Sequence, residues 1–157
     1  MTAQSKRLKK GSAVALLCAG FVGGWEGLQT NAYPDPATRG HPWTVCYGET
    51  KGVKKGDTYT IAECKAMLVD SLQGYAAGIE RCVTAPLPDE RYVALISFAY
   101  NVGTSAACNS SVVRLINAGH TRAGCDALLK WNKAAGIVFR GLTRRRTAER
   151  ELCLKGA

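Results

Sequence analysis

Glu26 and Asp35 are separated by eight residues, and Thr44 follows after eight more. Two carboxyl groups suffice to hydrolyse a glycosidic bond. One acid protonates the leaving oxygen, and a second carboxylate activates water on the opposite face of the sugar. Glu26 ends an apolar stretch, a setting that suits a proton donor. Asp35 stands in the turn-forming run Tyr33-Pro34-Asp35-Pro36, where water keeps a carboxylate ionised. The same residues also have a purely structural reading, Glu26 as a helix-end carboxylate and Asp35 as a turn former beside proline. Spacing alone does not choose between the two.

The element that must position Glu26 is unusual. Lys6, Arg7, Lys9 and Lys10 precede Gly11–Trp25, fifteen residues without a charge. As a helix this stretch is about 22 Å long at ~1.5 Å per residue, short of the roughly 30 Å hydrocarbon core of a bilayer. Gly11, Gly20, Gly23 and Gly24 lower its hydrophobicity and helix propensity further, so any insertion is marginal. Three readings stand: a cleavable signal peptide, with small residues at Ala13–Ala15 or Cys18–Gly20; a lipoprotein at Cys18, weakened by the bulky Leu17 before it; and an uncleaved anchor. In the last, the Lys/Arg tip stays in the cytoplasm and the body is exported.

Length and composition bound the rest. The 157 residues, 46% of them hydrophobic, suit one domain with a real core. Twenty-one Lys and Arg against 12 Asp and Glu give +9, which favours a polyanionic partner: nucleic acid, an acidic membrane face or a cell-wall polymer. Seven cysteines without a CxxC pair, and only His41 and His120, argue against a metal site and for disulfides, hence for an oxidising compartment. No phosphate-binding loop and no glycine-flanked serine nucleophile occur, and no cofactor is expected. The cluster Arg140, Arg144, Arg145, Arg146 and Arg150 reads as a solvated or wall-facing surface rather than a nucleic-acid face, since an exported chain seldom meets nucleic acid.

The pattern predicts an α+β chain. Trp43, Val45, Tyr47 and Tyr59, punctuated by Gly48, Gly52 and Gly56, predict a small hairpin or three-stranded sheet over 42–60. Thr60-Ile61-Ala62-Glu63 is a capping box that opens a long helix to about Arg81. A strongly apolar helix over 89–101 should be central core, and three shorter helices are predicted over 110–118, 121–131 and 143–154.

Glu26, Asp35 and the run Thr44-Val45-Cys46-Tyr47-Gly48 resemble the active-site signature of the phage lysozyme family, glycoside hydrolase family 24. The similarity continues through Ala62-Glu63-Cys64 with Leu68, Ser97-Phe98-Ala99-Tyr100-Asn101-Val102-Gly103, Trp131, Gly141-Leu142, Arg144-Arg145 and Glu149. With the basic tip and weak apolar segment, the chain resembles in particular the signal-arrest-release endolysins. The resemblance implies a muramidase that inverts at the anomeric carbon, with Glu26 as general acid, Asp35 holding or activating water and Thr44 positioning it. It implies a two-lobed, mostly helical lysozyme-like fold with a small antiparallel sheet, the helix from Ile61 joining the lobes. Residues 1–25 would be an anchor and residues 26–157 the catalytic domain. Peptidoglycan would be the substrate and the host inner membrane a partner through residues 11–25. The body would lie in the periplasm, and after release the chain would be soluble there and monomeric.

Two departures stand out. Eight residues, 36–43, separate Asp35 from Thr44 where the family has a shorter loop, so a longer path through Arg39-Gly40-His41 must absorb the difference. Glu49 stands where histidine often follows the glycine of the sheet motif; it either pairs with an arginine of 144–146, the favoured expectation, or perturbs Glu26. Positions shared with related endolysins imply disulfides Cys46–Cys64 and Cys125–Cys153; Cys82 with Cys108 would then bracket the central helix, and Cys18, inside the uncharged segment, remains over. Cys18 is then either inert in lipid or, after release, a thiol that attacks a disulfide such as that of Cys46. A lytic transglycosylase using one acid, and a noncatalytic cationic wall-binding protein, are the competing readings.

Overall fold

The computed structural model describes residues 5–35 and 41–155. The loop expected to absorb the extra residues through Arg39 and Gly40 falls largely outside them. The chain forms two compact units, one of residues 8–72 and one of residues 73–157 together with the tip up to Arg7.

In the 8–72 unit, α1 (Ala13–Glu26) starts at Ser12, whose hydroxyl accepts the Ala15 amide at 3.2 Å. Such a cap satisfies one of the four amides a helix start leaves unpaired. One face of α1 is buried through Val14, Ala15, Cys18, Ala19, Val22 and Gly23. The uncharged segment is therefore packed in this unit rather than standing apart as an anchor, and no helix among the described residues is long and apolar enough to cross a membrane.

β1 (Gln29–Pro34) pairs antiparallel with β2 (Trp43–Cys46), with Tyr33 opposite Thr44, Pro34 opposite Trp43 and an irregularity between Gln29 and Tyr33. The sheet expected over 42–60 thus takes its first strand from before that range. Asp57–Tyr59 adds only an edge: Ala32 N–H donates to Asp57 O and Tyr59 N–H to Thr30 O, both at 2.9 Å. β1 carries a proline and no alternating apolar pattern, so pairing with β2 and with Asp57–Tyr59 makes it a strand.

α2 (Ile61–Cys82) follows the predicted capping box. Glu63 N–H donates to Thr60 Oγ1 and Thr60 N–H to Glu63 Oε1, both at 3.1 Å. Its residues to Leu72 belong to the first unit and the remainder to the second.

In the second unit α3 (Asp89–Val102) is the core helix, with Tyr92 to Phe98 buried as an unbroken run. Around it lie α4 (Thr104–Cys108), α5 (Ser111–Asn117), α6 (Thr121–Ala127), a short 3-10 turn (Leu128–Lys130), a hairpin of β3 (Lys133–Ala134) and β4 (Ile137–Val138), and α7 (Arg140–Lys155). The arginine cluster of α7 is not one surface. Arg145 and Arg146 are buried and ion-paired with the fully buried Glu149 at 3.3 and 2.9 Å; Ser97 Oγ donates to the same carboxylate at 2.6 Å, and Arg146 also donates to Asn101. Burial pushes the Glu149 carboxyl up, and the two guanidiniums oppose this. Arg150 binds Asp126 at 2.6 Å, which leaves Arg140 and Arg144 exposed.

Three disulfides close the chain: Cys46–Cys64, Cys82–Cys108 and Cys125–Cys153. Cys18 is free and buried. The tip is tied to the second unit. Arg7 pairs with Asp89 at 2.7 Å and lies 4.2 Å from the Tyr92 ring centre, and Ser5 Oγ hydrogen-bonds Tyr92 Oη at 2.9 Å.

Candidate active site

All three candidate residues lie in the 8–72 unit. Glu26 is the last residue of α1, half-buried, and Gly27 turns the chain out of the helix. Asp35 is half-buried and directly follows β1, so that strand links the two carboxylates. Thr44 is buried on β2, opposite Tyr33 and two residues from the Asp35 end of the partner strand; its hydroxyl donates to Pro42 O at 3.3 Å. One strand pair therefore places Asp35 beside the end of β2 that bears Thr44.

What holds Glu26 in this unit is the packing of α1 on the sheet motif. Gly23 lies one turn before Glu26, and a methyl group there would sit 3.0 Å from Tyr47 Cε1 and 3.4 Å from Leu68 Cδ2. The helix is thus close enough to Tyr47 and Leu68 that a hydrogen is the only side chain that fits without movement. Tyr47 is buried in the turn after β2, where Val45 and Glu49 exchange backbone hydrogen bonds at 2.9 Å. Within this turn Cys46 adopts φ 60°, a conformation that costs a non-glycine residue about 1 kcal/mol or more and that here coincides with the disulfide to Cys64. Sequence reasoning treated Gly23 only as a weakener of the helix. Its position one turn before the candidate acid is the signal that marks it as a close-approach site.

Glu49 does not take the expected arginine partner. Ser71 Oγ donates to its Oε2 at 2.6 Å, while Oε1 is buried without a hydrogen bond. Burial raises the Glu49 carboxyl above the ordinary carboxylate range; the Ser71 hydrogen bond opposes this and nearby Asp70 adds to it. Glu49, Lys51, Met67, Asp70 and Ser71 line a cavity of about 390 Å³. Of the arginines it was expected to meet, Arg145 and Arg146 neutralise Glu149 and Arg144 is exposed. Ser71 could not be identified from sequence, because nothing local links it to Glu49, 22 residues earlier.

Among the described residues, no group of three or more His, Cys, Asp or Glu side chains is placed to hold a metal ion. The candidate site presents two carboxylates and a hydroxyl on a helix end and a strand pair.

The mostly helical body with small antiparallel sheets is that of a lysozyme. The family model described as "Phage lysozyme" matches residues 23–149, and the chain belongs to the phage lysozyme family. Among curated relatives, proteins named SAR-endolysin from Enterobacteria phage P21 and Enterobacteria phage PA-2 are each 38% identical over 149 residues, covering 93% of this chain and 90% of theirs. Among solved structures, a point mutant of P22 lysozyme superimposes with a TM-score of 0.80 at 30% identity, covering 98% of this chain and 99% of that one. Lysozymes are glycoside hydrolases that act on peptidoglycan, and the chain falls in that enzyme class.

Proposed function

We propose that this chain is a bacteriolytic endolysin, a muramidase that hydrolyses the β-1,4 bond between N-acetylmuramic acid and N-acetylglucosamine for host cell lysis. Glu26 is its general acid. Asp35 holds or activates the attacking water, Thr44 positions that water, and the displacement inverts the anomeric carbon. The chain is held inactive while residues 11–25 sit in the host inner membrane with the body in the periplasm. It becomes active and soluble there on release.

One observation carries both halves of this reading: the helix that ends in Glu26 is apolar on both faces. Its packed face lies on Tyr47 and Leu68, while its outer face still carries Leu16 and Leu17, 65% and 39% exposed, and then Trp25, 37% exposed. A surface helix normally turns polar residues outward; one that is apolar all round suits lipid as well as a protein core. With α1 in lipid, Glu26 is drawn away from Tyr47 and the strand pair that bears Asp35 and Thr44. With α1 docked, the set is complete. This is a population shift driven by a change of solvent. In this reading residues 1–25 act as the anchor and residues 26–157 as the catalytic part only in the membrane-held state.

The test is product analysis by mass spectrometry of digested wall, together with the intact N-terminus of the active protein. Glu26→Gln is expected to lower turnover by at least about 100-fold, in line with loss of a general acid. Hydrolysis leaves reducing muramic ends. Anhydro-muramic ends would instead identify a transglycosylase, and retained lysis by Glu26→Gln would identify a noncatalytic cationic protein. An active form found only with its N-terminus removed would refute release without cleavage.

A further inference from the structure

The hairpin β3–β4 has no part in this catalytic reading, yet it is well built. Lys133 pairs with Val138 and Ala134 with Ile137, and Phe139 N–H closes the base on Asn132 O at 3.0 Å. Ala135 and Gly136 form the two-residue turn with φ 51° and 77°, the left-handed pair whose twist matches a tight hairpin. The base is anchored by Trp131, edge-on to Phe98 at 5.2 Å, and by Asn132 Nδ2 donating to Thr143 Oγ1 at 3.1 Å.

From this ordered projection Ile137, Val138 and Phe139 stand 63%, 56% and 48% exposed, with Leu129 40% exposed nearby in sequence. Successive strand residues point to opposite faces, so large apolar side chains occupy both faces of the ribbon. Exposed apolar surface of this kind marks an interaction site. Its flanks are cationic: Lys130, Lys133, Arg140 and Arg144 are all exposed, and no acidic residue occurs between Asp126 and Glu149. A glycan strand or a protein laid against a ribbon covers one face. The interfacial zone of a bilayer surrounds both, and its anionic headgroups complement the flanking cations.

We propose that this hairpin is a membrane-docking wedge that seats the helical unit on an anionic phospholipid bilayer. Ile137, Val138 and Phe139 enter the headgroup–acyl boundary, and Lys130, Lys133, Arg140 and Arg144 pair with lipid phosphates. The contact is separate from residues 11–25 and does not depend on the muramidase reading, because it is read by binding alone.

The test is co-sedimentation of the soluble full chain with preformed vesicles of phosphatidylglycerol and phosphatidylethanolamine, against vesicles of phosphatidylcholine. A triple variant (Ile137→Ser, Val138→Ser, Phe139→Ser) is expected to lower partitioning onto the anionic vesicles at least about tenfold relative to the parent chain. A charge variant (Lys130→Gln, Lys133→Gln, Arg140→Gln, Arg144→Gln) should lose about as much at low salt and flatten the salt dependence. Any contribution of residues 11–25 is common to all three proteins and cancels in the ratio. Near-ultraviolet circular dichroism checks the fold, and if the triple variant fails that check the charge variant decides. Unchanged partitioning of a folded variant overturns the proposal, as does an equal loss on phosphatidylcholine. Loss of binding to purified sacculi with vesicle binding intact assigns the hairpin to the wall and also overturns it.

Discussion

At the scale of single residues, two carboxylates outside the Glu26, Asp35 and Thr44 set, Glu49 and Glu149, differ in what depends on their charge. Burial raises the Glu49 carboxyl, so the folded chain binds that proton more tightly than the unfolded chain. Its contribution to stability is therefore complete below the ordinary carboxylate range and is lost as pH rises through the elevated value. Glu49→Gln, which can still accept from Ser71, should be at least as stable as the parent at neutral pH, with the difference vanishing in acid. Urea midpoints measured from pH 4 to pH 8 check this, and a variant that is weaker at neutral pH would contradict it. Burial raises the Glu149 carboxyl in the same direction, but here Arg145 and Arg146 depend on the charge. Removing its charge leaves two guanidiniums buried without a counter-ion, so Glu149→Gln should cost about 3–5 kcal/mol, read as a large fall in the melting temperature.

At the scale of elements, the decisive contact is α1 against the turn after β2. The hydrogen on Gly23 lets the helix approach Tyr47 and Leu68, and the same helix ends in Glu26 one turn later. Gly23→Ala needs a shift of a few tenths of an ångström and gains about 0.8–1 kcal/mol of helix propensity, so its stability should stay near that of the parent. Gly23→Leu has no such room and should cost about 1–3 kcal/mol through overpacking. It should also lower kcat, because whatever moves α1 moves Glu26. Denaturant unfolding and turnover on purified sacculi, measured on the same two variants, check both expectations. A fully active, fully stable Gly23→Leu would show that the helix does not set the acid.

At the scale of the whole molecule, the proposed function asks α1 to serve two solvents. Leu16 is 65% exposed in the docked form, so Leu16→Lys should leave the folded, soluble chain nearly untouched. In the bilayer the same change costs about 3 kcal/mol near the middle of a spanning helix, which is large for a segment of marginal hydrophobicity. The variant is expected to appear in the soluble periplasmic fraction early and to lyse cells early. Cell fractionation at fixed times after induction, with lysis onset recorded in parallel, measures this; an unchanged membrane-bound fraction would argue against residues 11–25 as the anchor.

Much of this was legible in the residues because it is local. The capping box at Thr60 and Glu63, the proline breaks before Asp89 and the apolar run of α3 act within a few residues of themselves, and the expected helices begin and end close to where they do. The resemblance carried by Glu26, Asp35 and the Thr44-to-Gly48 run likewise pointed to a glycosidase, and Cys18, inside the uncharged segment, was the thiol expected to be left over. What sequence could not settle depends on partners distant along the chain. β1 is a strand only because β2 and Asp57–Tyr59 pair with it, Glu49 finds Ser71 rather than an arginine, and the β3–β4 hairpin rests on a turn without the usual Asn-Gly signal. The arginine cluster that read as one surface divides because Glu149 needs two counter-charges in a place that water does not reach. Local steric preference and periodicity are written into neighbouring residues, whereas burial and pairing exist only once the chain has folded. The proposal of Glu26 as the acid therefore came from the sequence, and the packing that holds that residue in place from the tertiary structure.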